Sequence, residues 1–272
     1  MPKIVSLFLL IVFGGTGLSV PAGACGPDTD CLIGERTYRI RMPLNHDGVS
    51  KVGAIIFNHG YRGTAKGLMR NKRLGKLISD MGLAFVAPKS ARQDWDIPNA
   101  PSPGPRSELP FFDALKGRLV DEHSIDPKRI VVSGFSAGGM MTWNLACDRG
   151  DQFAGFVPVS GTFWAPVPNS CSAMPAHIIH VHGTSDKIVP MKGRPIASTK
   201  QGDIYRALKL AAKQGDYGPW RSQGSRNGLT CQQKISAKGI ILQLCLHPGG
   251  HSFRSVWLKD AWNTLEKAGA FN

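Results

Sequence analysis

The sequence is poor in acidic residues, and it has no long apolar run apart from the one near its amino terminus. It contains 19 Asp and Glu against 33 Lys and Arg in 272 residues, so its formal net charge is +14. After the amino-terminal segment no stretch is long and apolar enough to cross a bilayer, so no transmembrane segment is predicted. Internal repeats, long linkers and low-complexity tracts are also absent, which excludes a repeat architecture and favours one globular unit.

The amino-terminal segment has the composition of an export signal. Residues 1–24 have a basic residue, Lys3, near their start, continue with a short apolar run and end with small residues. This order is typical of a signal peptide. We therefore predict a signal peptide over residues 1–24 and a single domain over residues 25–272, exported to the periplasm or outside the cell. The alternative is a lipoprotein with Cys25 acylated, although Ala22 stands where a larger aliphatic residue is usual.

All six cysteines lie after the predicted cut. An even number of cysteines in an oxidising compartment indicates disulfide bonds. Their spacings match no zinc pattern, so no metal site is predicted. The sequence leaves the pairing open, but the positions of turns and strands favour Cys25–Cys31, Cys147–Cys171 and Cys231–Cys245.

Strand-like and helix-like segments alternate along the chain. Apolar, β-branched runs such as Val52–Asn58 and Arg129–Ser133 are typical of buried strands. Other segments, for example around Leu74 and Ile78, carry apolar residues at helical spacing. This alternation predicts an α/β fold with a doubly wound, mostly parallel sheet and flanking helices.

The most specific motif is Gly134-Phe135-Ser136-Ala137-Gly138. It lies between a predicted strand and a predicted helix, which is the context of a nucleophile elbow. Glycine at both ends allows the backbone to fold tightly beneath the serine. We therefore predict that Ser136 is a catalytic nucleophile; the alternative is a Gly/Ser-rich turn without chemical function.

A serine nucleophile needs a base and an acid that orients the base. Asp186 follows the apolar strand that ends near His182, and His251 follows a later strand and two glycines. The order Ser, Asp, His along the chain is that of a doubly wound hydrolase sheet. We predict that His251 is the base and Asp186 the acid. The alternatives are that Asp186 is only a turn residue and that His251 only begins a helix. Substitutes are His247 as base and Asp203 or Asp216 as acid. His180 and His182 are predicted to be packed, and a lesser hypothesis places His182 beside Asp186 as a supporting group.

Two backbone N–H groups are expected to stabilise the oxyanion that forms during acyl transfer. One is that of Ala137, directly after the nucleophile. The other is that of Tyr61, in the loop His59-Gly60-Tyr61 after an early strand. The alternative for Tyr61 is an ordinary glycine turn with an exposed aromatic ring.

Two tryptophans lie in irregular segments that are candidates to line a substrate gorge. Trp95 lies between residues 90 and 106, and Trp164 follows a predicted strand end. Flat rings bury a large area at low entropic cost, so both are predicted to bind substrate. The alternative is that they pack these loops onto the sheet.

The motifs together resemble the α/β-hydrolase superfamily. The residues that carry the resemblance are His59-Gly60, Gly134 to Met140, His182-Gly183-Thr184-Ser185-Asp186 and Gly249-Gly250-His251. Ser124 to Ile130, which leads into the elbow, resembles exported esterases grouped with polyhydroxybutyrate depolymerases and feruloyl or acetylxylan esterases. The resemblance implies roles for Ser136, Asp186 and His251 that agree with those derived above. Ser252-Phe253-Arg254 follows the base where many depolymerase-like members have Thr-Trp-Pro.

These residues predict a serine esterase that acts through an acyl-enzyme without a cofactor. The predicted substrate is a polyhydroxyalkanoate-type polyester or oligomer, or a feruloyl or acetyl ester on a glycan. The alternative is a non-catalytic surface or glycan-binding protein with the same fold. Five basic residues on one predicted helix favour attraction to anionic glycans or form a solvated face: Lys66, Arg70, Lys72, Arg73 and Lys76. No nucleic-acid-binding motif accompanies them.

Overall fold

A ten-stranded sheet forms the centre of the described chain. The computed structural model describes residues 25–101, 104–105 and 108–272, so the predicted signal peptide lies outside the described residues. In spatial order the strands are β1 (Cys31–Ile33), β2 (Arg36–Arg41), β4 (Ala84–Pro88), β3 (Val52–Asn58), β5 (Ile125–Phe135), β6 (Gly155–Val159), β7 (Ile178–Gly183), β12 (Ile241–His247), β11 (Leu229–Ile235) and β10 (Arg221–Arg226). A separate two-stranded ribbon consists of β8 (Pro195–Ile196) and β9 (Thr199–Lys200).

The six central strands, from β4 to β12, run parallel. Strands β1 and β2 extend the sheet antiparallel at one edge, and β11 and β10 extend it antiparallel at the other. The described helices are α1 (Ala65–Met69), α2 (Lys72–Asp80), α3 (Glu108–Glu122), α4 (Ala137–Asp148), α5 (Ile204–Gly215) and α6 (Val256–Lys267). None of them is long and apolar enough to span a membrane.

Helices cover both faces of the sheet because successive strand residues point to opposite sides. In β3, Ala54 and Ile56 pack in the core that includes the buried faces of α3, α4 and α5. Ile55 and Phe57 pack in the second core, with α1, α2 and α6. The predicted doubly wound, mostly parallel sheet is confirmed. In a sheet of this kind, sites form at the carboxyl ends of the parallel strands.

The basic segment after β3 was predicted to form one helix, but it forms two. Helix α1 ends at Met69 and α2 begins at Lys72. Asn71 separates them, and its side-chain oxygen accepts a hydrogen bond from the Leu74 N–H at 3.0 Å. Asn is a favoured N-cap residue, so it begins a new helix and the basic residues are divided between two short helices.

Three disulfide bonds join the six cysteines. They are Cys25–Cys31, Cys147–Cys171 and Cys231–Cys245, which is the pairing that the sequence positions favoured. The second ties the end of α4 to the loop after β6, and the third joins residues directly opposite each other on β11 and β12. Within the described ranges, one group of possible metal ligands occurs, Cys25, Cys31 and His123, and its cysteines are already joined to each other.

Candidate active site

Ser136 lies in a strained turn between β5 and α4. Its backbone has φ 61° and ψ −121°, a conformation that L-residues rarely adopt. A Cβ on Gly138 would collide with the carbonyl of Asn58, and one on Gly134 would collide with the carbonyl of Gly138. The turn is anchored to the neighbouring strand, since the Ser136 N–H donates to the carbonyl of Val159 at 2.9 Å. Glycine at both flanking positions is therefore required by close backbone approach.

Asp186 lies in the turn after β7 and is 5% exposed. Its Oδ1 accepts hydrogen bonds from the N–H groups of Ile188 and Val189, at 2.8 and 2.9 Å. Its Oδ2 accepts a hydrogen bond from Nδ1 of His251 at 2.7 Å. Burial by itself raises the pKa of Asp186, but the hydrogen bonds from His251 and the backbone outweigh it and lower the pKa below the usual value. The carboxylate is thus ionised, and both of its oxygens accept hydrogen bonds.

His251 lies in the loop after β12. This loop is held beside the acid turn, since the Thr184 N–H donates to the carbonyl of His247 at 2.8 Å. The imidazole packs on the ring of Phe135, the residue before Ser136, with centroids 4.6 Å apart. Because Nδ1 donates to the carboxylate, the lone pair lies on Nε2. The base, its acid and the elbow therefore meet at one edge of the sheet.

The contact between base and nucleophile is open in this structure. Among the hydrogen bonds of the described residues, none joins Ser136 Oγ to His251. Such contacts in free enzymes are often long and shorten only when substrate binds.

The loop after β3 crosses the elbow. A Cβ on Gly60 would lie 3.7 Å from the Cβ of Ser136, so the two backbones are close. In the described part of the chain, no backbone hydrogen bond uses the N–H of Tyr61 or of Ala137. The Tyr61 side chain is 60% exposed and turns away from the core. Neither amide has a backbone acceptor among the described residues, and their role as donors of an oxyanion hole stays a prediction.

His59 holds this loop in place, a role that sequence reasoning missed. The side chain is 2% exposed, and its Nε2 accepts a hydrogen bond from the Ser90 N–H at 3.2 Å. An amide can only donate, so the proton lies on Nδ1, which donates to the carbonyl of Gly60 at 2.8 Å. Burial lowers the pKa of His59 to about 4. A neutral imidazole therefore fixes the direction of the loop.

Trp95 also holds the loop after β3 in place, and its position does not allow it to bind substrate. It is 1% exposed, its indole N–H donates to the carbonyl of His59 at 2.8 Å, and its ring packs on that of Phe112. The prediction that Trp95 contacts substrate is wrong, because its ring is enclosed in the core beneath the loop. The alternative interpretation, in which the ring packs the loop onto the sheet, is the correct one.

Trp164 is 7% exposed and lines a cavity of about 270 Å³. The same cavity is lined by Asn144 and Cys147. Asn144 lies eight residues along α4 from Ser136, or about 12 Å at the rise of an α-helix. A role for Trp164 in substrate binding stays a prediction.

The weaker candidates have other roles. Asp203 caps α5, accepting hydrogen bonds from the N–H groups of Tyr205 and Arg206, and Asp216 ends the same helix in a left-handed conformation. His247 is 7% exposed and packs on Trp257, and its Nδ1 accepts from the Gly249 N–H at 3.1 Å.

His59 makes the folded state sensitive to acid. Its pKa is about 4 in the folded protein against 6.5 for an unperturbed imidazole. As the pH falls below 6.5 the unfolded chain takes up a proton that the folded protein does not, so the free energy of unfolding decreases. Down to pH 4 this loss is about 3 kcal/mol. Denaturant unfolding at pH 7 and pH 4, with the disulfides intact, measures it.

The variant His59→Gln isolates this contribution, since glutamine takes up no proton. We expect a difference between the two pH values that is smaller in the variant than in the unsubstituted protein. An equal difference in both proteins would contradict the assignment.

Parts of this chain are similar in sequence to known esterases. A family described as Phospholipase/Carboxylesterase matches residues 113–205. The bifunctional acetylxylan esterase/xylanase XynS20E of Neocallimastix patriciarum is 27% identical over 70% of this chain and 27% of its own length. Feruloyl esterase C of Emericella nidulans is 28% identical over 59% of this chain and 58% of its own length. The chain thus spans less than two thirds of both curated relatives.

Solved structures are similar in fold at low sequence identity. An acetyl xylan esterase from Aspergillus awamori superposes with a TM-score of 0.61 at 13% identity, covering 88% of this chain and 96% of that one. An S-formylglutathione hydrolase from Agrobacterium tumefaciens superposes with a TM-score of 0.55 at 14% identity, covering 87% and 90%.

Proposed function

We propose that this chain, which has the α/β-hydrolase fold and resembles esterases of that superfamily, is a serine carboxylic ester hydrolase. One observation carries the proposal. The Asp186 carboxylate accepts a hydrogen bond from Nδ1 of His251 at 2.7 Å, while the same imidazole packs against the residue before the strained Ser136. This arrangement supports roles for Asp186 as the acid, His251 as the base and Ser136 as the nucleophile.

The mechanism assigns one step to each group. Nε2 of His251 takes the proton of the Ser136 hydroxyl as Oγ attacks the ester carbonyl. The N–H groups of Tyr61 and Ala137 stabilise the oxyanion, and that of Ala137 also lies at the N-terminus of α4, which favours negative charge. The intermediate collapses, the alcohol leaves with the proton from His251, and the acyl group remains on Ser136. Water, deprotonated by His251, then attacks the acyl carbonyl, and the acid is released as His251 returns the proton to Oγ of Ser136.

We propose feruloyl or acetyl esters on glycans as the substrate class, ahead of polyesters. The relatives and structural neighbours of this chain include acetylxylan and feruloyl esterases. The formal net charge of +14 supports attraction to glycans that carry acidic sugars.

We further propose that the protein is exported and cut before residue 25. Three disulfide bonds support an oxidising compartment. The sulfur of Cys25 is bonded to Cys31 and is not free to carry a lipid, which argues against the lipoprotein alternative.

The proposal is tested with the full chain expressed for export and purified with its disulfides formed. We expect hydrolysis of short-chain nitrophenyl esters and covalent labelling of Ser136 by a fluorophosphonate, located by mass spectrometry of the labelled peptide. Methyl ferulate, acetylated xylan, polyhydroxybutyrate film and hydroxybutyrate oligomers, assayed side by side, identify the substrate class. A protein that hydrolyses none of these esters, is not labelled at Ser136 and binds glycans would support the non-catalytic alternative.

A further inference from the structure

A row of hydrogen-bonded side chains runs through the core beneath the acid turn. The indole N–H of Trp143, on α4, donates to Nδ1 of His180 at 3.2 Å. Nε2 of His180 lies 3.1 Å from Nδ1 of His182, and Nε2 of His182 lies 2.7 Å from the carbonyl of Val189. All three side chains are 0% exposed, and the two imidazoles are stacked with centroids 5.2 Å apart. The mechanism above uses none of them.

A single placement of protons satisfies the whole row. The indole can only donate, so Nδ1 of His180 accepts and its proton lies on Nε2. That proton is donated to Nδ1 of His182, whose own proton therefore lies on Nε2 and is donated to Val189. Burial lowers the pKa of both histidines, so both are neutral, which this placement requires. The row thus has one direction, from Trp143 to the acid turn.

The row ends on the groups that hold Asp186. The N–H of Val189 donates to Oδ1 of Asp186 at 2.9 Å, while its carbonyl accepts the proton of His182. Nε2 of His182 also lies 3.5 Å from Oδ2 of Asp186, the oxygen that accepts the hydrogen bond from His251. His182 therefore contacts the acid turn at two points, the carbonyl of Val189 and Oδ2 of Asp186.

We propose that His182, oriented by His180 and Trp143, is a positioning residue that fixes the turn from Asp186 to Val189 so that Oδ2 faces His251. The inference rests on the proposed function, since it concerns the acid of that site. A carboxylate held only by its own turn is free to tilt, and an imidazole that loses its acceptor also loses the preference for a proton on Nδ1. Small displacements of this kind reduce the rate while leaving substrate binding unchanged.

The ionisable groups near His182 come from β7, from the turn after β7, and from the end of β12 with the loop that follows it. His180 belongs to the same strand, Asp186 to the following turn, and His247 and His251 to the end of β12 and the loop after it. Asp186 is the one acidic member of this group, and its Oδ2 lies 2.7 Å from Nδ1 of His251 and 3.5 Å from Nε2 of His182.

Two substitutions at one position and one matched control test the inference. His182→Leu removes the donor to Val189 and the acceptor for His180. We expect a roughly 10- to 100-fold lower kcat for a nitrophenyl ester with KM within twofold, since a misplacement of about 1 Å that arises away from the chemistry can cost about 100-fold in rate. His182→Gln retains an N–H donor and an oxygen acceptor, so it should recover most of the loss. His177→Leu changes a half-buried histidine that precedes the same strand and accepts a hydrogen bond from the Ile241 N–H, and it should leave kcat unchanged.

Side-chain ¹⁵N NMR of histidine provides a readout that does not depend on activity. In the unsubstituted protein we expect the proton on Nε2 in His180 and His182 and on Nδ1 in His251. In His182→Leu the proton of His251 should be distributed over both nitrogens, while thermal unfolding shows that the fold is kept. If His182→Leu fails to fold, Trp143→Phe removes only the first donor, and we expect mixed protonation at His180 with a several-fold lower kcat.

The outcomes separate the inference from the proposed function. An unsubstituted protein that hydrolyses no ester refutes the function, yet a shift of the His251 proton in His182→Leu still supports the positioning role. An unchanged kcat and an unchanged His251 proton in His182→Leu overturn the inference. Equal losses in His182→Gln and His182→Leu, each matched by a lower melting temperature, also overturn it, because they indicate a structural role alone.

Discussion

Replacing Ser136 by alanine is expected to lower kcat for short-chain esters by about 10⁴- to 10⁶-fold, leaving only the residual catalysis that substrate binding and the oxyanion hole provide. The substitution removes the atom that forms the acyl-enzyme, and no other hydroxyl lies in the strained turn. Alanine has the same Cβ as serine, so the φ of 61° costs both residues alike and the fold should be kept. Initial rates, fluorophosphonate labelling and thermal unfolding measure the three effects.

Ser252→Ala is the matched control for this experiment. Ser252 is an exposed serine next to His251, and its loss should leave the rate and the labelling unchanged. Residual activity of more than about 1% in Ser136→Ala, with labelling still present, would assign the nucleophile to another residue.

Asp186→Asn is expected to lower kcat by about 10⁴-fold with little change in KM. The amide oxygen can still accept the two backbone hydrogen bonds from Ile188 and Val189, so the turn is retained. The amide nitrogen then faces Nδ1 of His251, and two donors oppose each other. The imidazole must move its proton to Nε2 and can no longer accept one from Ser136. Initial rates with a nitrophenyl ester give kcat and KM separately.

Asp203→Asn controls for a general effect of losing an aspartate. Asp203 was a weaker candidate for the acid and caps α5 in the structure. Asparagine caps helices as well as aspartate does, so both activity and stability should be unchanged. A larger loss of activity in Asp203→Asn than in Asp186→Asn would contradict the assignment of the acid.

Local chemistry made several features predictable. The elbow could be identified because a tight backbone approach needs glycine at both flanks, and the collisions at Gly134 and Gly138 are of that kind. Strand periodicity and alternation were enough for the sheet class, because each strand buries alternate residues on two faces. The disulfide between β11 and β12 followed from a hairpin, whose geometry depends on neighbouring residues.

Other features depended on distant segments. Trp95 was expected to face substrate, but its indole is enclosed because the carbonyl of His59 lies beside it. His59 and Ser90 are far apart in the chain, yet they meet because β3 and β4 are neighbours in the sheet. The partners of a polar side chain in such a core are set by topology and register, which no local pattern specifies.

The sequence by itself determined the class of fold, the strained serine turn and candidates for an acid and a base, since each depends on residues close together in the chain. Only the tertiary structure decided which nitrogen of each buried histidine carries the proton. It also decided that Trp143, His180 and His182 form a directed row ending on the turn of Asp186. The physical reason is that each hydrogen bond has one donor and one acceptor. Once the partners are in contact, the donor at one end of the row fixes the proton position of each histidine that follows.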